Sequence, residues 1–333
     1  MNRVRPREVI FMRILRAGAV ALAAVTFFAV CADALADLAW TPEKGWQRTD
    51  TGPALKGSDE FDKAFAYYVK GKYGRAAGLL GHVIKEGDKA LAEQAKILEA
   101  ECYLGEKHYT KAFTKLEDFL NEYPASRYAD RALRDELEIA KATLSGAKIK
   151  ALGLRIWPGY GFGEKVVDKI TARRPLSDVA RDGQITLARS YFRRKMYLES
   201  TSAYQQYIEL YAEGPELEEA QIGLAKSLLL DARGPRYDPI PYYRSRSVLV
   251  GFSREHPQSP MMPEVRKLVA AIDEDLSRHY FGIARWYLRK GHLDSAKVYF
   301  RKVASEYGAT PWAENSRNYL ESLGGEGKAT DGT

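Results

Sequence analysis

Between residues 58 and 323 of the 333-residue chain, apolar side chains return at steps of three and four, the spacing that keeps them on one face of a helix. Within that pattern one set of six positions recurs four times. It runs alanine, tyrosine three on, Gly or Lys four further, Tyr or Leu two further, Ala or Ser three further, and a large apolar residue four beyond. Ala64, Tyr67, Gly71, Tyr73, Ala76 and Leu80 form the first copy, and Ala100, Tyr103, Lys107, Tyr109, Ala112 and Leu116 the second. Ala188, Tyr191, Lys195, Tyr197, Ser200 and Tyr204 form the third, and Ala284, Tyr287, Gly291, Leu293, Ala296 and Phe300 the fourth. Each copy predicts two antiparallel helices that approach closely at the small residues and turn at the Gly or Lys. Helix pairs are expected at about 58–86, 89–122, 176–211, from 216, and 261–307, with an irregular pair between 126 and 175 and a closing helix over 311–323.

This spacing resembles the tetratricopeptide repeat, a helix-turn-helix unit whose copies stack into a solenoid. Phe119 and Pro124 take the late aromatic and terminal proline places of the second copy. The resemblance implies an all-α fold, a right-handed solenoid of about six tetratricopeptide-like helix pairs spanning 58–323.

Two stretches break the period. Residues 147–163 contain alternating glycines at 159, 161 and 163 but match neither a dinucleotide fingerprint nor a phosphate loop. They read as a flexible insertion that packs Trp157 on the solenoid. In the fifth pair, Ala225 stands 32 residues before Pro257, where the regular unit leaves 24. The eight inserted residues fall near 233–241, and three prolines are expected to hold them extended.

The first 36 residues read as an export signal: Arg13 and Arg16 precede an apolar run from Ala17 to Val30, and Ala34-Leu35-Ala36 offers a cleavage site. The run is short for a membrane span. Cys31 stands where a bacterial lipoprotein carries its acylated residue, but Val30 occupies the place of the small residue that such signals put before it. Cleavage after Ala36 is the expectation, and lipidation at Cys31 the alternative. Cleavage there leaves Cys102 alone, a small core residue with no disulfide partner. Residues 37–57, with Trp40 and Trp46, read as an extended lead-in that caps the first pair, and residues 324–333 as a disordered tail.

The formal net charge of +7 falls after removal of the leader, since residues 37–333 carry 46 Lys and Arg against 42 Asp and Glu. That balance is not the footprint of a nucleic-acid binder. None of His82, His108, His256, His279 and His292 stands at metal-ligand spacing, and no nucleophile elbow is present. No metal, cofactor or catalytic residue is expected.

A solenoid of helix pairs offers a groove lined by the first helix of each pair. In the repeat's usual register that groove receives Phe61, Phe65 and Tyr68, then Ile97 and Glu101, then Arg189, Phe192 and Arg193, then Lys226, and finally Phe281, Arg285 and Arg289. Its gradation from aromatic to basic suits an extended peptide with aromatic side chains and a carboxylate, which guanidinium forks bind bidentately.

Three stretches sharpen the resemblance. They are Phe119 to Ser126 (F-L-N-E-Y-P-A-S) with Ala129 and Ala132, Phe252 to Ser259 (F-S-R-E-H-P-Q-S), and Ala284 through Tyr307 to Glu314. These endings, with the insertion in the fifth pair, resemble the BamD-type component of the machinery that assembles outer-membrane β-barrels. The likeness implies a non-enzymatic periplasmic scaffold associated with the outer membrane. Its implied partners are the barrel-forming subunit and unfolded outer-membrane proteins, and its membrane contact would be peripheral or through a lipid anchor. Envelope tetratricopeptide adaptors of cell division and cell-wall coordination share the same endings and form the alternative. The shared motifs are structural, so no family binding residue is carried over by position.

Overall fold

The computed structural model describes residues 38–41, 44–48, 57–151 and 154–325. The expected leader with Cys31, and residues 326–333 of the expected tail, lie outside the described residues. The chain divides into two compact units, one running to Ile139 with Lys148–Trp157, the other comprising Ala140–Ala147 and Pro158 onward.

The first unit opens with an antiparallel hairpin of β1 (Leu38–Thr41) and β2 (Gly45–Arg48), in which Trp40 stands opposite Trp46. Helices α1 (Ser58–Val69), α2 (Tyr73–Glu86), α3 (Lys89–Gly105) and α4 (Tyr109–Glu122) follow, each packed on the next. Then come α5 (Ala129–Leu144), whose residues to Ile139 belong to this unit, and a second small hairpin, β3 (Lys148–Ala151) with β4 (Leu154–Pro158), of which Lys148–Trp157 belong to it. Phe61, Leu80, Leu91, Leu98 and Cys102 are buried together, with Trp46 against them. Burial and the neighbouring Glu101 push the Cys102 thiol up to about 12, so this cysteine is an inert core residue.

The second unit holds α6 (Tyr160–Arg173), α7 (Asp178–Arg193), α8 (Tyr197–Leu210), α9 (Leu217–Asp231) and α10 (Ile240–Glu255). The long α11 (Met262–Arg289), α12 (Leu293–Glu306) and α13 (Pro311–Gly325) complete it. Its order is that of helix pairs closed by a last helix, and the described residues of the whole chain are all-α apart from the two hairpins.

The recurring six positions have one structural meaning in all four copies. Ala64, Ala100, Ala188 and Ala284 are buried, and Ala76, Ala112, Ser200 and Ala296 are buried opposite them, so two helices meet with no side-chain bulk between. At each turn the Gly or Lys takes the left-handed conformation: Gly71, Lys107, Lys195 and Gly291 have φ of 67°, 58°, 60° and 77°. The next residue then donates to the carbonyl of the repeat's first tyrosine, as in Lys72 N to Tyr67 O and His108 N to Tyr103 O, both 2.8 Å, and Met196 N to Tyr191 O and His292 N to Tyr287 O, both 3.0 Å. This is the closure that satisfies the last carbonyls of a helix. The two lysines hold it at a steric cost of about 1 kcal/mol each.

A second joint, between pairs, also recurs. Tyr123, Tyr211, His256 and Tyr307 have φ of −125°, −129°, −126° and −125° at the ends of α4, α8, α10 and α12. Each donates back to the residue four earlier and accepts from the residue three later, Ser126, Gly214, Ser259 and Thr310. Ser126 Oγ then accepts from Tyr128 N at 2.9 Å and Ser259 Oγ from Met261 N at 3.1 Å, so the serine of each Y/H-P-x-S ending steers the chain into the next helix.

Two expectations are corrected. Trp157 is not buried on the solenoid, being 59 % exposed near the end of β4. The glycines after it serve packing: a Cβ on Gly163 would lie 2.6 Å from Thr143 Oγ1, and one on Gly159 2.7 Å from the Ala147 carbonyl. The insertion in the fifth pair is not extended. Gly234, at φ 107°, lets the chain turn so that its carbonyl accepts from Tyr237 N at 3.1 Å and Asp238 N at 3.3 Å.

Candidate protein-binding site

The aromatic and acidic candidates of the first unit converge on one internal point. Glu101, on α3, has only 3 % of its side chain exposed. Its Oε1 accepts from Arg131 Nε at 2.8 Å, and its Oε2 accepts from Tyr68 OH at 2.6 Å and Trp46 Nε1 at 2.8 Å. Arg131 also reaches Asp135 at 3.2 Å. Burial, with Glu101 close by, raises the Asp135 carboxyl well above its usual range, and burial against Glu101 raises the Tyr68 hydroxyl. Glu101 and Tyr68 therefore form a structural hub that ties the β1–β2 hairpin and α5 to α1 and α3, with Glu101 buried and Tyr68 half-buried. Phe65 stacks on Tyr68 with ring centroids 6.3 Å apart and stays partly exposed. Phe61 and Ile97 are fully buried core, as is Phe281 among Phe300, Trp312 and Tyr319, because their apolar area is covered by the neighbouring helices.

The basic candidates of the second unit are brought together. Arg189, Phe192 and Arg193 from α7 and Lys226 from α9 line one open cavity of about 600 Å³. Its walls are completed by Lys141, Tyr204, Glu219, Ile222, Met261 and Glu264, among others. The floor is held by a close approach: a Cβ on Gly223 would sit 2.4 Å from the Tyr204 ring, so only glycine lets α9 lie on α8 there. Burial pushes the Tyr204 hydroxyl up to about 12, and it stays neutral.

Arg189 and Lys226 are each paired with a carboxylate of the cavity's own wall. Arg189 forms a bidentate pair with Glu219, at 2.6 and 2.5 Å, and these hydrogen bonds raise its pKa. Lys226 pairs with Glu264 at 2.6 Å. Arg193 differs: among the described residues it has no carboxylate partner, and its Nη2 donates to the Leu144 carbonyl at 3.3 Å. An exposed guanidinium beside a partly exposed phenylalanine, in a cavity with four cations and two carboxylates, suits an anionic group carried on an apolar chain. Arg289 lines a separate groove, and Arg285 is exposed on the same helix α11.

Glu219 and Glu264 were missed by sequence reasoning although a signal existed. Arg189 and Glu219 are 30 residues apart, as are Glu101 and Arg131, in each case on successive first helices. Lys226 and Glu264 repeat that offset lengthened by the eight-residue insertion.

A model of an outer membrane lipoprotein family, YfiO, matches residues 160–323, just under half of the chain, and a tetratricopeptide repeat model matches residues 94–126. The chain is a tetratricopeptide-repeat protein resembling the BamD-type lipoproteins. Such families are protein-interaction scaffolds, generally without catalysis, and the YfiO likeness accords with a place in the cell envelope. The tetratricopeptide chain's cavity lies within the YfiO match except for Lys141 and Ser145. No curated protein matches the chain. Solved structures with similar helices include MamA from AMB-1, 14 % identical, covering 61 % of this chain and 97 % of that one, with a TM-score of 0.34. PilW, described as a widely conserved type IV pilus biogenesis factor, is 12 % identical over 78 % of this chain and 97 % of its own, with a TM-score of 0.29. The apo form of RapI is 10 % identical over 80 % and 99 %, with a TM-score of 0.35. Likenesses this distant say nothing of function. Among the described residues, no helix of the tetratricopeptide chain is long and apolar enough to cross a membrane.

Proposed function

We propose that this chain is a non-enzymatic periplasmic scaffold in the assembly of outer-membrane β-barrel proteins. Its cavity between α7 and α9 holds segments of partner or unfolded client proteins. The observation that carries the reading is Arg193, an exposed cation beside Phe192, in a cavity that lies almost wholly in the stretch resembling an outer membrane lipoprotein family. An extended segment seats an aromatic side chain against Phe192 and a carboxylate on Arg193, then competes with Glu219 and Glu264 for the remaining cations. Because those two pairs must yield, binding is modest and reversible, as a hand-over scaffold requires.

The test uses a synthetic peptide ending in phenylalanine with a free C-terminal carboxylate. Reversing two charges, Arg193→Glu with Lys226→Glu, is expected to weaken its binding at least about tenfold in fluorescence anisotropy. Amidation of the peptide's C-terminus is expected to weaken binding to the wild-type chain. Equal affinity in all cases would remove the cavity from the account.

A further inference from the structure

A second concave surface lies in the same unit and shares no lining residue with the first. One wall is the outer face of α11, with Asp275, Arg278, His279, Gly282, Ile283, Trp286 and Arg289, and the other is the fifth-pair insertion through Pro235 and Arg236. It encloses about 710 Å³. We infer that this groove is a second protein-docking surface, and that its occupant is an acidic segment of a partner protein carrying an aromatic or aliphatic side chain.

Charge supports that occupant. Arg236 and Arg289 are exposed, and among the described residues neither has an ion-pair partner. Arg278 already has Glu274 at 3.0 Å and Asp275 at 3.7 Å. Burial lowers the pKa of His279, so it adds no charge at neutral pH. The groove thus keeps two uncommitted guanidiniums on opposite walls, where a chain of carboxylates can bridge them.

Each of the two elements also exposes an aromatic ring. Trp286 is 47 % exposed on the α11 wall, and Tyr237 is 79 % exposed at the tip of the insertion. Exposed indole and phenol rings next to arginine are the composition of interface centres.

The groove is also preformed and open. Gly234 accepts from Tyr237 N and Asp238 N, and Asp238 Oδ1 accepts from Ile240 N at 2.9 Å, so the insertion is a fixed turn. Gly282 lies inside α11, where glycine weakens a helix relative to alanine, yet a Cβ there would meet nothing within 4 Å. Packing within the chain does not require that glycine. The bare backbone there leaves room for an occupant to lie close to the helix.

The test is fluorescence anisotropy of the full chain with a short synthetic peptide of Asp, Glu and Phe, beside a control in which Lys replaces the acidic residues. The wild-type chain is expected to bind the acidic peptide and not the basic one. Arg236→Glu with Arg289→Glu should weaken binding at least about tenfold. Gly282→Gln, which fills the groove while favouring the helix, should do the same with an unchanged or raised thermal midpoint. Both comparisons are made in the Arg193→Glu/Lys226→Glu chain, whose other cavity no longer takes the probe's carboxylates and phenyl ring, which separates the two sites. The inference is overturned if the acidic peptide does not bind that chain, or if it binds the groove variants equally. It is also overturned if vesicles of phosphatidylglycerol bind through these residues while the peptide does not.

Discussion

Replacing Arg131 by methionine is expected to destabilise the first unit by about 3–5 kcal/mol, enough to unfold a domain of ordinary stability at 37 °C. Arg131 is the cation between Glu101 and Asp135, at 2.8 and 3.2 Å. Methionine keeps the apolar stem and removes only the charge, which leaves two carboxyl groups facing each other in the core. The loss should appear as a fall in the urea midpoint of the purified chain, monitored by tryptophan fluorescence, since Trp46 donates to the same Glu101. The pH dependence has a definite sign. The folded pKa of Asp135 is raised above its unfolded value, so its protonated form favours the fold and its contribution is lost as pH rises through the folded value. Acidification from about pH 7 towards about pH 5 should therefore return part of the stability to the Arg131→Met chain. A variant as stable as wild type at neutral pH would mean that the hub is solvated.

Truncating Phe252 to alanine is expected to cost about 3–5 kcal/mol in the second unit. Its ring is fully buried with Ile222, Leu249, Val265, Ile272 and Tyr307, and lies 5.0 Å from the His256 ring. Its carbonyl accepts from His256 N at 2.8 Å, so the residue belongs both to the core and to the joint that launches α11. Loss of the ring leaves a cavity at that joint, and the angle of the next helix relaxes with it. Phe119, its counterpart before Tyr123, is equally buried, and Phe119→Ala should cost as much in the first unit. Calorimetry of the two variants checks both values. A loss below about 1 kcal/mol would show that the aromatic place in the F-x-x-x-Y/H-P ending is not a packing position.

The turns and joints were legible because they are local. Gly71, Lys107, Lys195 and Gly291 mark left-handed closures that depend on residues within five places, and Ser126 and Ser259 act on the next few amides. The buried alanines were legible too, since close helix approach admits no larger side chain. Less of the candidate site was legible. Register placed Glu101 and Tyr68 on the groove-facing side of their helices, but their fate was decided by Trp46, 55 residues before Glu101, and Arg131, 30 after it. A charged residue on a first helix is open to a ligand only when the matching place about 30 residues along lacks the opposite charge. Arg193 meets that condition, with Gly223 in the matching place. Arg189 does not, because Glu219 stands there. Trp157 misled for a related reason: a tryptophan in an insertion reads as an anchor, whereas here the hairpin leaves it exposed. The insertion's prolines suggested extension, and the turn came from Gly234.

The most direct measurement is the amount of β-barrel protein in isolated outer membranes after depletion of this chain, with the wild-type and Arg193→Glu/Lys226→Glu chains supplied in turn. A scaffold of barrel assembly predicts that barrel proteins fall on depletion, return with the wild-type chain, and return poorly with the charge-reversed one although it folds and accumulates. Unchanged barrel levels on depletion, with a defect in septation or wall growth instead, would contradict the account and leave only the helical scaffold.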